Sequence, residues 1–320
     1  MNMKNYICLL LLCFCLAGCG EKARPVVVET AYLPIADPYV MSYGGKYYAY
    51  GTGGTVEGEG FACFSSDDLI NWKREGQALA AVDSYGTWGF WAPEVYYIES
   101  KKKFYLFYSV EEHICVATAD TPQGPFRQEV KQPIWDEKSI DTSLFIDDDG
   151  TPYLYFVRFT GGNVIWVARV NDDLTSIRQE TLTECVRVEE PWELSQDKPA
   201  RVAEGPSVLK KDGTYYLVYS ANHFESKNYG VGYATASSPM GPWKKYGGNP
   251  ILQRADGLTG TGQRTLLSAA RMASGSIIFH VTLEFREGAT AHFLHLRISL
   301  FSDLWHHCHW CSLIRPQVVK

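Results

Sequence analysis

Four acidic residues, Asp37, Glu94, Asp141 and Glu204, stand 57, 47 and 63 residues apart, each heading the same local pattern. An apolar run follows the acid, then a tight polar or charged turn, then a run rich in aromatic residues. Asp37-Pro38-Tyr39-Val40 leads through Gly44-Gly45 to Lys46-Tyr47-Tyr48-Ala49-Tyr50, and Pro93-Glu94-Val95 through Lys101-Lys102-Lys103 to Phe104-Tyr105-Leu106-Phe107-Tyr108. Asp141-Thr142-Ser143-Leu144-Phe145 leads through Asp148-Asp149-Gly150 to Tyr153-Leu154-Tyr155-Phe156, and Glu204-Gly205-Pro206-Ser207-Val208 through Lys211-Asp212-Gly213 to Tyr215-Tyr216-Leu217-Val218-Tyr219. Taken singly, each acid reads as a solvated residue at a strand start. Taken together, they predict carboxylates converging on one channel, which is costly in an apolar scaffold unless they are paired or used for chemistry such as proton transfer.

The elements that must position these acids are hairpins. A glycine-containing or charged turn between two β-branched or aromatic runs is a hairpin signal. Each hairpin is followed by a third strand and then a turn-rich stretch: Ser65-Ser66-Asp67-Asp68-Leu69-Ile70-Asn71-Trp72, Ala119-Asp120-Thr121-Pro122-Gln123-Gly124-Pro125-Phe126, the weaker 171–177, and Ala236-Ser237-Ser238-Pro239-Met240-Gly241-Pro242-Trp243. Such a repeat predicts an all-β propeller whose blades place equivalent residues around one axis. No convincing long amphipathic helix is legible. Asp147-Asp148-Asp149-Gly150 could suggest a calcium loop, but it is far shorter than an EF-hand and reads as a solvated turn.

Composition sets the surroundings. Aromatic residues make up 14% of the chain, with 20 Tyr and 9 Trp, which suits sugar stacking and strand-rich cores equally. A net charge of −6 argues against nucleic acid as a partner. Residues 1–19 read as an export signal: a short basic start, an apolar run too short to span a bilayer, and Leu16-Ala17-Gly18-Cys19. That ending resembles the lipobox of bacterial lipoproteins and implies acylation at Cys19, with residues 20–30 as a linker and 31–320 as one catalytic domain. The expected location is therefore outside the cytoplasm, anchored to a membrane in the periplasm or at the cell surface. The five cysteines beyond Cys19 are odd in number and scattered, and give no disulfide framework.

Ala36-Asp37-Pro38-Tyr39-Val40, Trp91-Ala92-Pro93-Glu94-Val95, the segment 140–150 and Ala203-Glu204-Gly205-Pro206 resemble, in order, the signature segments of glycoside hydrolase family 43. That family holds β-xylosidases, α-L-arabinofuranosidases and arabinanases. The resemblance implies a five-bladed β-propeller and single-displacement hydrolysis with inversion. It assigns Asp37 as general base, Glu204 as general acid, and Asp141 as the residue that orients the acid and raises its pKa by like-charge repulsion. The chemistry agrees: an inverting pair needs one carboxylate to deprotonate water and one carboxyl to protonate the leaving oxygen, roughly 6.5–9.5 Å apart. Trp88, Phe90 and Trp91, with Glu94, are candidates to wall the sugar site, and Phe224 to line its leaving-group side. The implied substrate is a pentose-containing oligo- or polysaccharide, attacked by exo action, and no cofactor is required.

The fifth blade is expected to be atypical, with residues 263–320 departing from the family pattern. Gln263 stands where the family commonly has a histidine near a central calcium ion, which puts that metal in doubt. Ser276-Ile277-Ile278-Phe279-His280-Val281 reads as a fifth-blade strand; the tail through His306, Cys308, His309 and Cys311 has spacing unlike a standard zinc site and could reflect a frameshift. Two rival functions follow. One is a non-catalytic carbohydrate-binding propeller disabled in its fifth blade; the other is a fructan-cleaving or phosphorolytic relative, which would need a closer carboxyl pair or a basic phosphate pocket.

Overall fold

The computed structural model describes residues 33, 35–53, 59–69, 71–196 and 199–253, with the backbone of strands 26–28, 277–284 and 293–300. After β1 (Val26–Val28), the first blade is β2 (Ile35–Tyr43), β3 (Lys46–Gly53), β4 (Gly60–Ser66) and β5 (Lys73–Ala80). The second is β6 (Trp91–Ile98), β7 (Lys103–Val110) and β8 (His113–Ala119). The third is β9 (Ser139–Ile146), β10 (Pro152–Phe159), β11 (Asn163–Arg169) and β12 (Thr183–Val186). The fourth is β13 (Ala203–Lys211), β14 (Thr214–Ala221), β15 (Gly230–Ala236), β16 (Lys244–Lys245) and β17 (Leu252–Gln253). Strands β18 (Ile277–Glu284) and β19 (Phe293–Leu300) pair with each other, and β1 pairs with β19. The chain is thus all-β with four consecutive antiparallel blades in propeller-like array, each a meander in chain order. The described helical segments are three short 3₁₀ turns.

The turns follow from their residues. Gly44 and Gly45 both adopt positive φ, at 59° and 79°, as a two-residue hairpin of matching twist requires. The second strand of each blade is buried on both faces because blades stack face to face, which explains the aromatic-rich runs.

Burying so many tyrosines requires partners for their hydroxyls, since an orphaned buried donor costs about 1–3 kcal/mol. The proline-rich turns supply two of them. Tyr50 of the first blade donates to Pro122 O of the second, and Tyr155 of the third donates to Pro239 O of the fourth. Tyr219 donates to the buried carboxylate of Glu193, and Tyr108 shares a hydrogen bond with Ser84. The stretches ending Gly-Pro-Phe and Gly-Pro-Trp are therefore blade-docking turns. Asp147, expected in a solvated turn, instead binds Lys210 Nζ at 2.7 Å and Tyr215 Oη at 2.5 Å, tying the third blade to the fourth.

One correction concerns phase. Each inner strand carries a β-bulge near its start, where the register slips: residues 37–38, 92–93, 141–142 and 205–206. The first residue of each bulge is left-handed: Asp37 and Ala92 at φ 45°, Asp141 at 57°, Gly205 at 56°. The equivalent residues are therefore Asp37, Ala92, Asp141 and Gly205. Glu94 lies two residues after this position and Glu204 one before it. The four acids converge through local displacement and do not share one repeat position.

Candidate active site

The bulges aim their residues at the channel, and a bulge is a common device for turning a side chain toward a site. A cleft is lined there by Asp37, Pro38 and Tyr39, by Ala92, Pro93 and Glu94, by Asp141 and Thr142, and by Gly205 and Pro206. All four described blades contribute. Glu204 immediately precedes Gly205 and is buried, 8% exposed. Asp141 is 6% exposed.

Each acid is held differently. Asp37 Oδ2 accepts a hydrogen bond from Thr52 Oγ1 at 2.5 Å, and the same hydroxyl accepts the Ala92 N–H at 2.9 Å. Asp141 Oδ2 accepts the Gly205 N–H at 3.0 Å, so the carboxylate is tied to the backbone directly after Glu204. The Asp141 N–H donates to Ser109 Oγ at 2.9 Å. Glu204 receives two donors, Tyr229 Oη on Oε1 at 2.7 Å and Asn163 Nδ2 on Oε2 at 3.0 Å. Glu94 Oε2 accepts from Tyr96 Oη, which in turn accepts the Leu144 N–H at 3.0 Å, linking the second and third blades.

Electrostatics separates these groups. Burial pushes Glu204 up to about 7; Tyr229 and Asn163 hold it down, and the nearby Asp37 adds to the rise. Asp141 is pushed well above the usual carboxylate range by burial first, then by Glu204 and Asp37, against the pull of the Gly205 N–H. Asp141 and Glu204 repel each other, so their protons belong to the pair. The sequence assigned the rise of Glu204 to Asp141; burial leads instead, and the Asp141–Glu204 repulsion is expressed in the displacement of Asp141. The Tyr229 phenol is also raised, by burial and then by Glu204, and stays a neutral donor. The arrangement places Glu204, a carboxyl able to carry a proton near neutral pH, within electrostatic reach of Asp37, which accepts the Thr52 hydroxyl.

The aromatic candidates divide. Trp88 is 55% exposed and packs edge-on to Trp91, 6.4 Å away, directly before the cleft residues Ala92 and Pro93. Phe90 is buried, edge-on to Phe61 and stacked on Tyr108, and belongs to the core between the first two blades. Phe224 is 40% exposed and stacked on His223 at 4.6 Å. Thr52, Asn163 and Tyr229 were missed by the sequence reading. A signal for Thr52 existed: aligning the repeats by their second strands puts Thr52, Ser109 and Ser220 at one position.

Cys19, Gln263 and the Cys/His tail lie outside the described residues. Among the described residues no group of three or more His, Cys, Asp or Glu converges as a metal site. No described helix is long and apolar enough to cross a membrane.

A family model described as glycosyl hydrolases family 43 matches residues 26–296, reaching past Gln263. A β-D-galactofuranosidase of Aspergillus niger is 28% identical over 256 residues, covering 73% of this chain and 70% of that protein. An arabinoxylan arabinofuranohydrolase of Bacillus subtilis is 28% identical over 313 residues, covering 76% of this chain; the chain spans 58% of that protein's length. The solved structure of an endo-1,4-β-xylanase from Bacteroides thetaiotaomicron superposes with a TM-score of 0.75 at 64% identity, covering 85% of this chain and 98% of that one.

Proposed function

Because this chain belongs to the glycosyl hydrolases of family 43, we propose that it is a glycosidase that cleaves, with inversion, xylosidic or arabinofuranosidic bonds of plant cell-wall polysaccharide or its oligomers. The observation that carries the mechanism is the contrast between Glu204, buried directly before the cleft residue Gly205 and raised to about 7, and Asp37, which lines the cleft and accepts the Thr52 hydroxyl. In this reading Asp37 removes a proton from water as its oxygen attacks the anomeric carbon. Glu204 delivers its proton to the departing glycosidic oxygen, so the C–O bond breaks without free alkoxide. Asp141 grips the Gly205 N–H, fixes the backbone that carries Glu204, and forms a coupled carboxyl pair with it.

Trp88 and Trp91 serve as sugar contacts at the cleft rim, Glu94 as a hydroxyl acceptor on its wall, and Phe224 as a contact on the leaving-group side. The pentose assignment rests on the xylanase and the arabinofuranohydrolase among the relatives. Strands β1, β19 and β18 are read as the fifth blade, closed by pairing the first strand with the last. Export and acylation at Cys19 complete the proposal, placing the enzyme on a membrane in the periplasm or at the cell surface.

The test is sugar release from aryl β-xyloside, aryl α-L-arabinofuranoside and xylo- and arabino-oligosaccharides, by protein lacking residues 1–19 and by its Glu204→Ala variant. Turnover of a pentoside that is lost in the variant, with the anomer inverted by NMR, is the expected result. Cleavage of aryl β-galactofuranoside alone would overturn the pentose assignment, and sugar binding without any turnover would overturn catalysis. Fatty-acid labelling of the full chain, abolished by Cys19→Ala, tests the anchor.

A further inference from the structure

Two of the described joints between blades, first to second and second to third, share a device that no signature segment encodes. The second strand of a blade ends in a residue opposite the bulge, and its hydroxyl receives the N–H of the next blade's left-handed residue. Thr52 does this for Ala92, and Ser109 for Asp141. A left-handed residue other than glycine is disfavoured, so a fixed partner for its N–H helps to hold it. Thr52 goes further than Ser109, because its hydroxyl also reaches Asp37 Oδ2 within its own blade.

A hydroxyl has one proton. The Ala92 amide can only donate, so Thr52 Oγ1 accepts there and its own proton is directed at Asp37. If Asp37 carried a proton toward Thr52, the hydroxyl would accept from two sides and its own proton would have no target. The contact therefore favours the ionised carboxylate in one orientation. The charge of Asp37 in turn raises Asp141 and Glu204, so the carboxylate that Thr52 orients is felt by both.

We propose that Thr52 is the positioning residue of the base: anchored on the Ala92 N–H of the neighbouring blade, it directs its proton to Asp37 Oδ2 and fixes the carboxylate that activates water. This rests on the reading of Asp37 as general base. The joint of the first two blades thereby becomes part of the base machinery, and a disturbance of β6 is transmitted to Asp37 through one hydroxyl.

The experiment compares Thr52→Val, Thr52→Ser and Asp37→Asn for kcat, KM, the pH dependence of kcat/KM, and thermal midpoint. Loss of a hydrogen bond to a charged group predicts a fall in kcat of about ten- to a hundredfold for Thr52→Val, with KM little changed. The acid limb of its profile moves to higher pH, because the carboxylate loses a donor that favours its charged form. Thr52→Ser restores both. A merely structural role would lower the thermal midpoint and leave the acid limb in place, and that result overturns the proposal. So does wild-type kcat in Thr52→Val when Asp37→Asn is dead. Full activity in Asp37→Asn would instead refute the assignment of the base itself. Should Thr52→Val fail to fold, Thr52→Cys, a weaker donor of similar shape, is expected to fall between Ser and wild type on one side and Asp37→Asn on the other. Wild-type behaviour of that variant also overturns the proposal.

Discussion

The joint between the first and second blades and the joint between the third and fourth solve one problem with opposite chemistry. At the first, the neutral hydroxyl of Thr52 takes the N–H of the left-handed Ala92. At the second, the equivalent position is Val157, buried and apolar, and the N–H of the left-handed Gly205 goes to the carboxylate of Asp141. The neutral joint leaves a donor to spare for Asp37. The apolar joint brings an acid next to Glu204 and keeps water away from both. In the proposed mechanism, this difference in environment is what separates two carboxyls of similar intrinsic acidity into a base and an acid.

The largest effect that sharpens this contrast comes from the two acids themselves. Asp37→Asn and Glu204→Gln should each lower kcat on oligosaccharides by about 10²–10⁴-fold. They should part company on an aryl glycoside with a good leaving group, which needs little protonation. Glu204→Gln is expected to recover much of its activity there and Asp37→Asn none. Equal behaviour on both substrates would end the division into an acid side and a base side.

Stability is the next largest readout. Glu204 is raised from 4.5 to about 7 in the folded protein, so the native state holds a proton that the unfolded chain has released at the same pH. Its favourable contribution is complete below about pH 4.5 and is lost as pH rises through about 7. Asp141 shifts in the same direction. Thermal midpoints should therefore decline from pH 5 to 8 in the wild type and decline less in Glu204→Gln. An equal slope in both would show that these buried carboxyls do not govern the pH dependence.

Asp141 separates orientation from charge. In Asp141→Asn the amide oxygen can still accept the Gly205 N–H, while the second titrating carboxyl of the pair is gone. The basic limb of the pH–rate profile should then move to lower pH with a modest loss of kcat. Asp141→Ala removes both functions and is expected to cost about ten- to a hundredfold more in kcat. If Asn and Ala behave alike, the hydrogen bond to Gly205 does not position the acid.

What the sequence revealed about this contrast was uneven. The repeat of hairpins and the four acids were legible, because turn residues and aromatic alternation are local signals. The phase of the acids was not. A bulge adds one residue without marking itself, so Glu94 and Glu204 looked equivalent to Asp37 and Asp141 although Ala92 and Gly205 hold those places. The partners of Glu204 were hidden for another reason: Asn163 comes from the neighbouring blade and Tyr229 from the loop just before β15, and no spacing rule links them. Trp88 and Phe90, two residues apart, read alike, yet one ring is exposed and the other in the core, because packing against Phe61 and Tyr108 decides it.

The smallest effect tests the comparison most directly, at the residue that makes the two joints differ. Val157→Thr keeps the shape of a buried side chain and places a hydroxyl where Thr52 and Ser109 carry theirs in the first two blades. If position sets the joint, the new hydroxyl competes for the Gly205 N–H. Asp141 then loses part of its donor, its ionised form is less favoured, and the repulsion it exerts on Glu204 weakens. The basic limb of the pH–rate profile should move down by less than about half a pH unit. Burying a hydroxyl among Ala203, Ile165 and Tyr219 should also cost about 1 kcal/mol of stability, less if the Gly205 bond forms. A stability loss with no movement of the limb would mean that Asp141 keeps the Gly205 N–H whatever stands at 157. In that case the carboxylate sets the acid-side joint, and the valine only makes room for it.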